Sequence, residues 1–168
     1  MSTIQTSQFL RRPSPSANRD RLAAIGCDRS ETFRGRLDHR QFEVMTYAFR
    51  PHGGFVCGDD VARRLRRSTE PPTSTIERWV AARSALNIWW HDQTLMPVFQ
   101  FDLEDMSIRP ACARVNDELK AVFDDWELAL WFATSNIWLS DAAPVSLIAV
   151  DSFAVLQAAR ADRFIACG

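Results

Sequence analysis

The stretch that decides the fold is Asp124-Asp125-Trp126-Glu127-Leu128-Ala129-Leu130-Trp131-Phe132-Ala133-Thr134-Ser135-Asn136. Its two aspartates stand where a helix wants a capping acceptor and negative charge in its first turn. Glu127 is the only polar residue from position 126 to 132, so the predicted helix has almost no polar face. A helix of that kind lies at the centre of a core or under a partner. Thr134-Ser135-Asn136 ends it.

Working outward, Cys112, Val115, Leu119, Val122 and Phe123 recur at helical spacing and predict one apolar face over 111–123. Pro144 stands where the first turn of a further helix tolerates proline. Asp151 then caps a last helix carrying Phe153, Val155, Leu156, Ala158 and Ala159. Beyond it runs a tail, 160–168, with Arg160, Arg163 and Phe164. Of the six tryptophans, Trp138 falls in an inter-helix loop and is expected at the surface. Trp79, Trp89, Trp90, Trp126 and Trp131 are expected to fill core, because each carries a large apolar area.

Toward the N-terminus the pattern changes. Residues 1–37 read as a flexible arm, polar at first, with Pro13 and Pro15 blocking a helix. Phe42, Val44, Met45 and Ala48 fit a short helix over 38–49, which Pro51-His52-Gly53-Gly54 ends. A helix is predicted over 58–65, acidic at its start (Asp59, Asp60) and basic near its end (Arg63, Arg64). Pro71 and Pro72 break the chain, and Ser74-x-x-Glu77 matches a capping box. The helix that follows runs through Ile76, Trp79, Val80 and Leu86, with Arg78 and Arg83 on its outer side. Ile88-Trp89-Trp90 and residues 95–99 are β-prone and flank polar 91–94, which predicts a hairpin.

The expected fold is therefore mainly α. A helix-turn-helix-like part with a short hairpin (38–101) precedes a small helical C-terminal domain (102–168). The connection between the two N-terminal helices is longer than the usual turn of 3–4 residues.

Composition agrees with a globular chain: 168 residues, 46% hydrophobic and 24% charged. No apolar run approaches bilayer length, and residues 1–12 lack a signal-peptide core. Cys27, Cys57, Cys112 and Cys167 are widely spaced, matching neither a disulfide framework nor a zinc cage, so a cytoplasmic location is expected. The net charge of −1 hides a split, +5 over residues 1–80 and −6 over 81–168. A basic half suits nucleic acid and an acidic half suits a different partner.

Catalytic signatures are missing. His39, His52 and His91 are isolated, and no nucleophile elbow, Walker loop or dinucleotide fingerprint occurs. Asp102, Glu104 and Asp105, like Asp124 and Asp125, read as caps or solvated carboxylates. No catalytic residue, metal site or cofactor is expected. The candidate nucleic-acid contacts are Arg63, Arg64, Arg66, Arg67 and Arg78.

The string Trp131-x-x-Thr134-x-Asn136-x-x-Leu139, then Pro144-x-x-Leu147, then Val155 and Ala158-Ala159, resembles the toxin-binding domain of the Xre/MbcA/ParS antitoxins. Phe99-Gln100-Phe101-Asp102 is similar to the segment that leads into that domain. The resemblance covers about residues 55–168. Ser135 stands where the family commonly has proline, and Ser140-Asp141-Ala142-Ala143 where it usually has glycine. The resemblance implies a protein that binds and neutralises a RES-type, NAD-consuming toxin, and that contacts its own promoter DNA where a helix-turn-helix is present. The candidate partner-binding residues are then Asn136, Trp138, Arg160, Arg163 and Phe164, the tail reaching into the toxin's cleft. A homodimer is the expected assembly. The alternative is a DNA-binding regulator whose C-terminal domain serves dimerisation only. A small enzyme with a dispersed site is a third reading.

Overall fold

The computed structural model describes residues 28–65 and 72–168. The chain divides into two compact units, Met1–His39 and Arg40–Gly168. The larger is mainly helical, with a small open three-stranded sheet flanked by helices.

Helix α1 (Asp28–Phe49) begins ten residues before the expected start at 38, so the last part of the expected arm, 28–37, is helical. Residues 1–27 lie outside the described residues. Within the larger unit, Phe42, Met45 and Phe49 fall at helical spacing and turn inward, Met45 and Phe49 completely. A single turn of 3₁₀ helix at Arg50–His52 ends the helix, and Gly53 takes φ 98°. Glycine is required there twice over. The conformation is left-handed, and a Cβ would come within 2.6 Å of Val98 Cγ1.

Strand β1 (Phe55–Cys57) follows, then α2 (Gly58–Leu65) and α3 (Pro72–Ala81). The capping box expected at Ser74 and Glu77 does not mark a helix start. The helix already begins at Pro72, whose missing N–H costs nothing in a first turn. It stops at Ala81, and Arg83 (φ 48°) turns the chain out, so Leu86 is buried in the core without being helical.

The hairpin forms as strands β2 (Ile88–Trp90) and β3 (Gln93–Pro97). His91 and Asp92 both have positive φ (45° and 61°), the two-residue turn that matches strand twist. Strand β3 therefore starts at Gln93 and ends at Pro97, and Val98–Gln100 is a 3₁₀ turn. The sequence reading missed β1, which pairs antiparallel with β3 (Val56 opposite Met96) and gives the order β1-β3-β2.

The sheet separates two cores by strand alternation. Phe55, Leu95 and Ile88 pack on one side with Met45, Phe49 and the C-terminal helices; Val56 and Met96 pack on the other with Val61, Leu65 and Phe101. The larger core takes side chains from both sides of position 101, where a domain boundary was expected. At its edge Phe42 stacks on Trp90 with centroids 4.4 Å apart, Trp90 lies tilted against Trp126 at 5.6 Å, and Trp126 Nε1 donates to Gln41 Oε1 at 2.7 Å.

The C-terminal helices are α4 (Pro110–Leu119), α5 (Asp125–Ala133), α6 (Pro144–Leu147) and α7 (Ser152–Cys167). Helix α4 stops at Leu119, short of the expected 123. Asp124 and Glu127 form a reciprocal capping box (2.8 and 2.9 Å), Pro144 occupies the first turn of α6, and Asp151 accepts from the Ala154 N–H. The expected tail 160–168 is almost wholly helical, as the last two turns of α7. Burial pushes the Cys112 thiol on α4 up to about 12, against the pull of nearby Arg109. Among the described residues, no helix is long and apolar enough to cross a membrane.

One buried amide joins these parts. Gln100, fully buried, accepts from Leu86 N–H at 2.7 Å and donates to the carbonyls of Leu86 (2.8 Å) and Pro97 (3.0 Å). Replacing it with leucine (Gln100→Leu) strands three backbone groups without water. The expected cost is about 2–4 kcal/mol. It is read as a lower urea midpoint at unchanged slope; an unaltered midpoint would contradict the role.

Candidate partner-binding face

The loop between α5 and α6 is organised by one asparagine. Asn136 Oδ1 accepts from the Trp138 N–H (2.9 Å), its carbonyl accepts from Leu139 and Asp141, and its own N–H donates to Ala142. These bonds fold residues 137–139 into a 3₁₀ turn that buries Leu139 and leaves Ile137 and Trp138 outside, 79% and 53% exposed. Ser140 (φ 53°) and Asp141 (φ 64°) then turn the chain back in left-handed conformations. The glycine that the resemblance leads one to expect would adopt that geometry freely. Here two non-glycine residues adopt left-handed conformations at a cost of roughly 1 kcal/mol each.

Helix α7 supplies the anchor. Asp162 accepts three side-chain hydrogen bonds: Trp131 Nε1 and Asn136 Nδ2 to Oδ2, both at 2.7 Å, and Trp138 Nε1 to Oδ1 at 2.9 Å. Bonds to a carboxylate are worth more than neutral ones. The exposed indole of Trp138 is thereby held at both its backbone and its ring nitrogen. Ile165, one turn beyond Asp162 on the same side of the helix, is also exposed. Ile137, Trp138 and Ile165 are thus exposed apolar side chains flanking a carboxylate that three donors hold. Such an arrangement is suited to covering by a protein surface.

The other expected partner residues go elsewhere. Arg160 Nε and Arg163 Nη1 both reach Glu118 on α4, at 3.5 and 2.7 Å, tying α7 to its neighbour. Phe164 is 80% exposed, but it lies two residues from Asp162, about 200° round the helix. Asn136 and Trp138 are therefore brought together, and Arg160, Arg163 and Phe164 form a different side of α7. Asp162 was missed because its three donors lie 24 to 31 residues away.

The N-terminal arginines are partly gathered. Arg63, Arg64 and Arg78 line a cleft of about 880 Å³ together with Glu104 and Asp105. A hydrogen bond from Ser107 holds the Asp105 carboxyl below its usual range. Arg63 also pairs with Asp60, one turn back on α2. Arg66 and Arg67 lie outside the described residues. Arg83, expected on the outer side of α3, lies past its end. Its guanidinium donates to Asp125 (2.8 Å) and to the carbonyls of Lys120 (2.6 Å) and Phe123 (2.7 Å), capping α4.

Among the described residues, no group of His, Cys, Asp and Glu is placed to hold a metal ion. Cys57, Cys112 and Cys167 are free thiols. No family model matches the chain, and no curated protein or solved structure matches it.

Proposed function

We propose that this chain is an antitoxin-like protein that binds and neutralises a RES-type, NAD-consuming toxin through the face formed by the α5–α6 loop and helix α7. The observation that carries the reading is the exposed Trp138, fixed by Asn136 and Asp162 in the segment that resembles the antitoxins' toxin-binding domain. A large amphipathic side chain held in place before binding loses little entropy on docking. Trp is enriched among residues that dominate interface energies. The acidic charge of residues 81–168 adds a second point of support, since it repels nucleic acid from this half.

Co-expression with a RES-type toxin tests the proposal. Full-length chain restores growth. Trp138→Ala removes the anchor, and Asp162→Ala frees the indole, so both lose rescue while far-UV dichroism and expression stay unchanged. Full rescue by both variants would contradict the proposed face. The alternative assembly, a C-terminal domain used only for dimerisation, predicts instead no rescue by any form and a dimer that Trp138→Ala dissociates.

A second activity, binding of promoter DNA, rests on a different observation. Helices 58–65 and 72–81 are followed directly by the hairpin, the order in which a winged helix-turn-helix is built, and Arg63, Arg64 and Arg78 share one cleft. Phosphate neutralisation releases counterions, so log K should fall linearly with log salt, with a slope of roughly −0.9 for each phosphate neutralised. Alanine at Arg64 and Arg78 should lower affinity and flatten that slope. Unchanged affinity at low salt would contradict the DNA reading.

A further inference from the structure

A second cleft, of about 750 Å³, is lined by α2, α3 and the hairpin and borders the first at Arg63. Its floor is apolar: Ala62 of α2, Ile76, Val80 and Ala81 of α3, and the ring of Trp89 on β2. Trp89 is 67% exposed, and no core position explains an indole there. Around that floor stand Asp59, Asp60, Glu77 and Asp92, with Arg63 as the cation of the lining. The Arg63 guanidinium is already engaged by Asp60. The carboxylates alone would be a solvated rim. A concave apolar floor with an accessible indole beside them changes their meaning.

From these features we propose that the cleft is a binding site for a small organic cation, an amidinium, guanidinium or alkylammonium carried on an apolar body. The volume lies in the range of small-ligand sites, roughly 300–1,000 Å³, and such sites pair an apolar lining with a few convergent polar groups. A cation over an indole face gains from the ring quadrupole. The carboxylates of Glu77 and Asp92, on α3 and at the hairpin turn, supply the opposite charge from two sides. The same charge disfavours phosphate, which sets the site apart from the arginine-lined cleft even though Arg63 borders both. Its occupant would touch α2, α3 and the hairpin together. The inference does not rest on the toxin-binding reading, since none of these residues belongs to that face.

The test uses the full chain and three probes of one shape: benzamidine, benzoate and benzyl alcohol. The readout is the Trp89 indole N–H resonance, assigned by its loss in Trp89→Phe. Benzamidine should shift it saturably, and the anionic and uncharged probes should not. Glu77→Gln combined with Asp92→Asn, both surface changes, should weaken benzamidine binding by about tenfold while leaving the melting temperature unchanged. An equal response to benzoate or benzyl alcohol, no saturable shift, or undiminished binding by the double variant would overturn the proposal. So would binding of an arginine-bearing peptide without any binding of benzamidine, because the cleft would then be a protein-docking surface.

Discussion

The side-chain amide of Gln100 sits where three parts of the chain meet. Its oxygen and nitrogen pair with both backbone groups of Leu86, as a neighbouring strand would, and its nitrogen also holds the carbonyl of Pro97. Its backbone carbonyl accepts from Arg109 N–H at 2.8 Å, immediately before α4. One buried residue thus fixes the exit from α3, the end of the hairpin and the entry to the C-terminal helices. Flanking it, Phe99 packs into the larger core and Phe101 into the smaller. With every polar atom of the amide satisfied, burial costs little and specifies much. A hydrophobic residue in its place would leave the surrounding backbone to choose its own register.

What the sequence made legible was local. Asp124 with Glu127, and Asp151, mark helix starts through bonds that reach no more than three residues, and Pro144 marks one by having no N–H to satisfy. Ile88-Trp89-Trp90 reads as a strand because its residues are β-prone and a polar turn follows. Strand β1 did not read, because three residues between a glycine turn and a helix carry no periodicity. It is a strand only because Met96, forty residues on, pairs with Val56. The end of α3 was misplaced for a related reason. Arg83 leaves the helix to cap α4, and that reward lies outside any local window. Gln100 was legible only as part of a family-like string; its role depends on Leu86, fourteen residues away and out of sight of any spacing rule.

The candidate face shows the same division. Asn136 and Trp138 were visible as residues, Asn136 through the resemblance to the antitoxin domain and Trp138 as a tryptophan in an inter-helix loop. Their common anchor was hidden. Asp162 lies between two arginines whose charge is the more conspicuous, yet Arg160 and Arg163 turn toward Glu118 and Asp162 toward the loop. Helical geometry dictates this split, because residues 160 and 163 share a side that 162 does not. Ser140 and Asp141 turn the loop in left-handed conformations without a glycine at either position. Strain of this kind persists where surrounding bonds over-determine the conformation, and the bonds here are those of Asn136.

The central claim is that the α5–α6 loop with helix α7 is a preformed surface for a toxin. Hydrogen exchange of the full chain, with and without a purified RES-type toxin, measures it directly. The account predicts new protection at residues 136–142 and in the last two turns of α7, with 58–81 unchanged. Protection confined to 58–81, or none in either segment at saturating toxin, would contradict it.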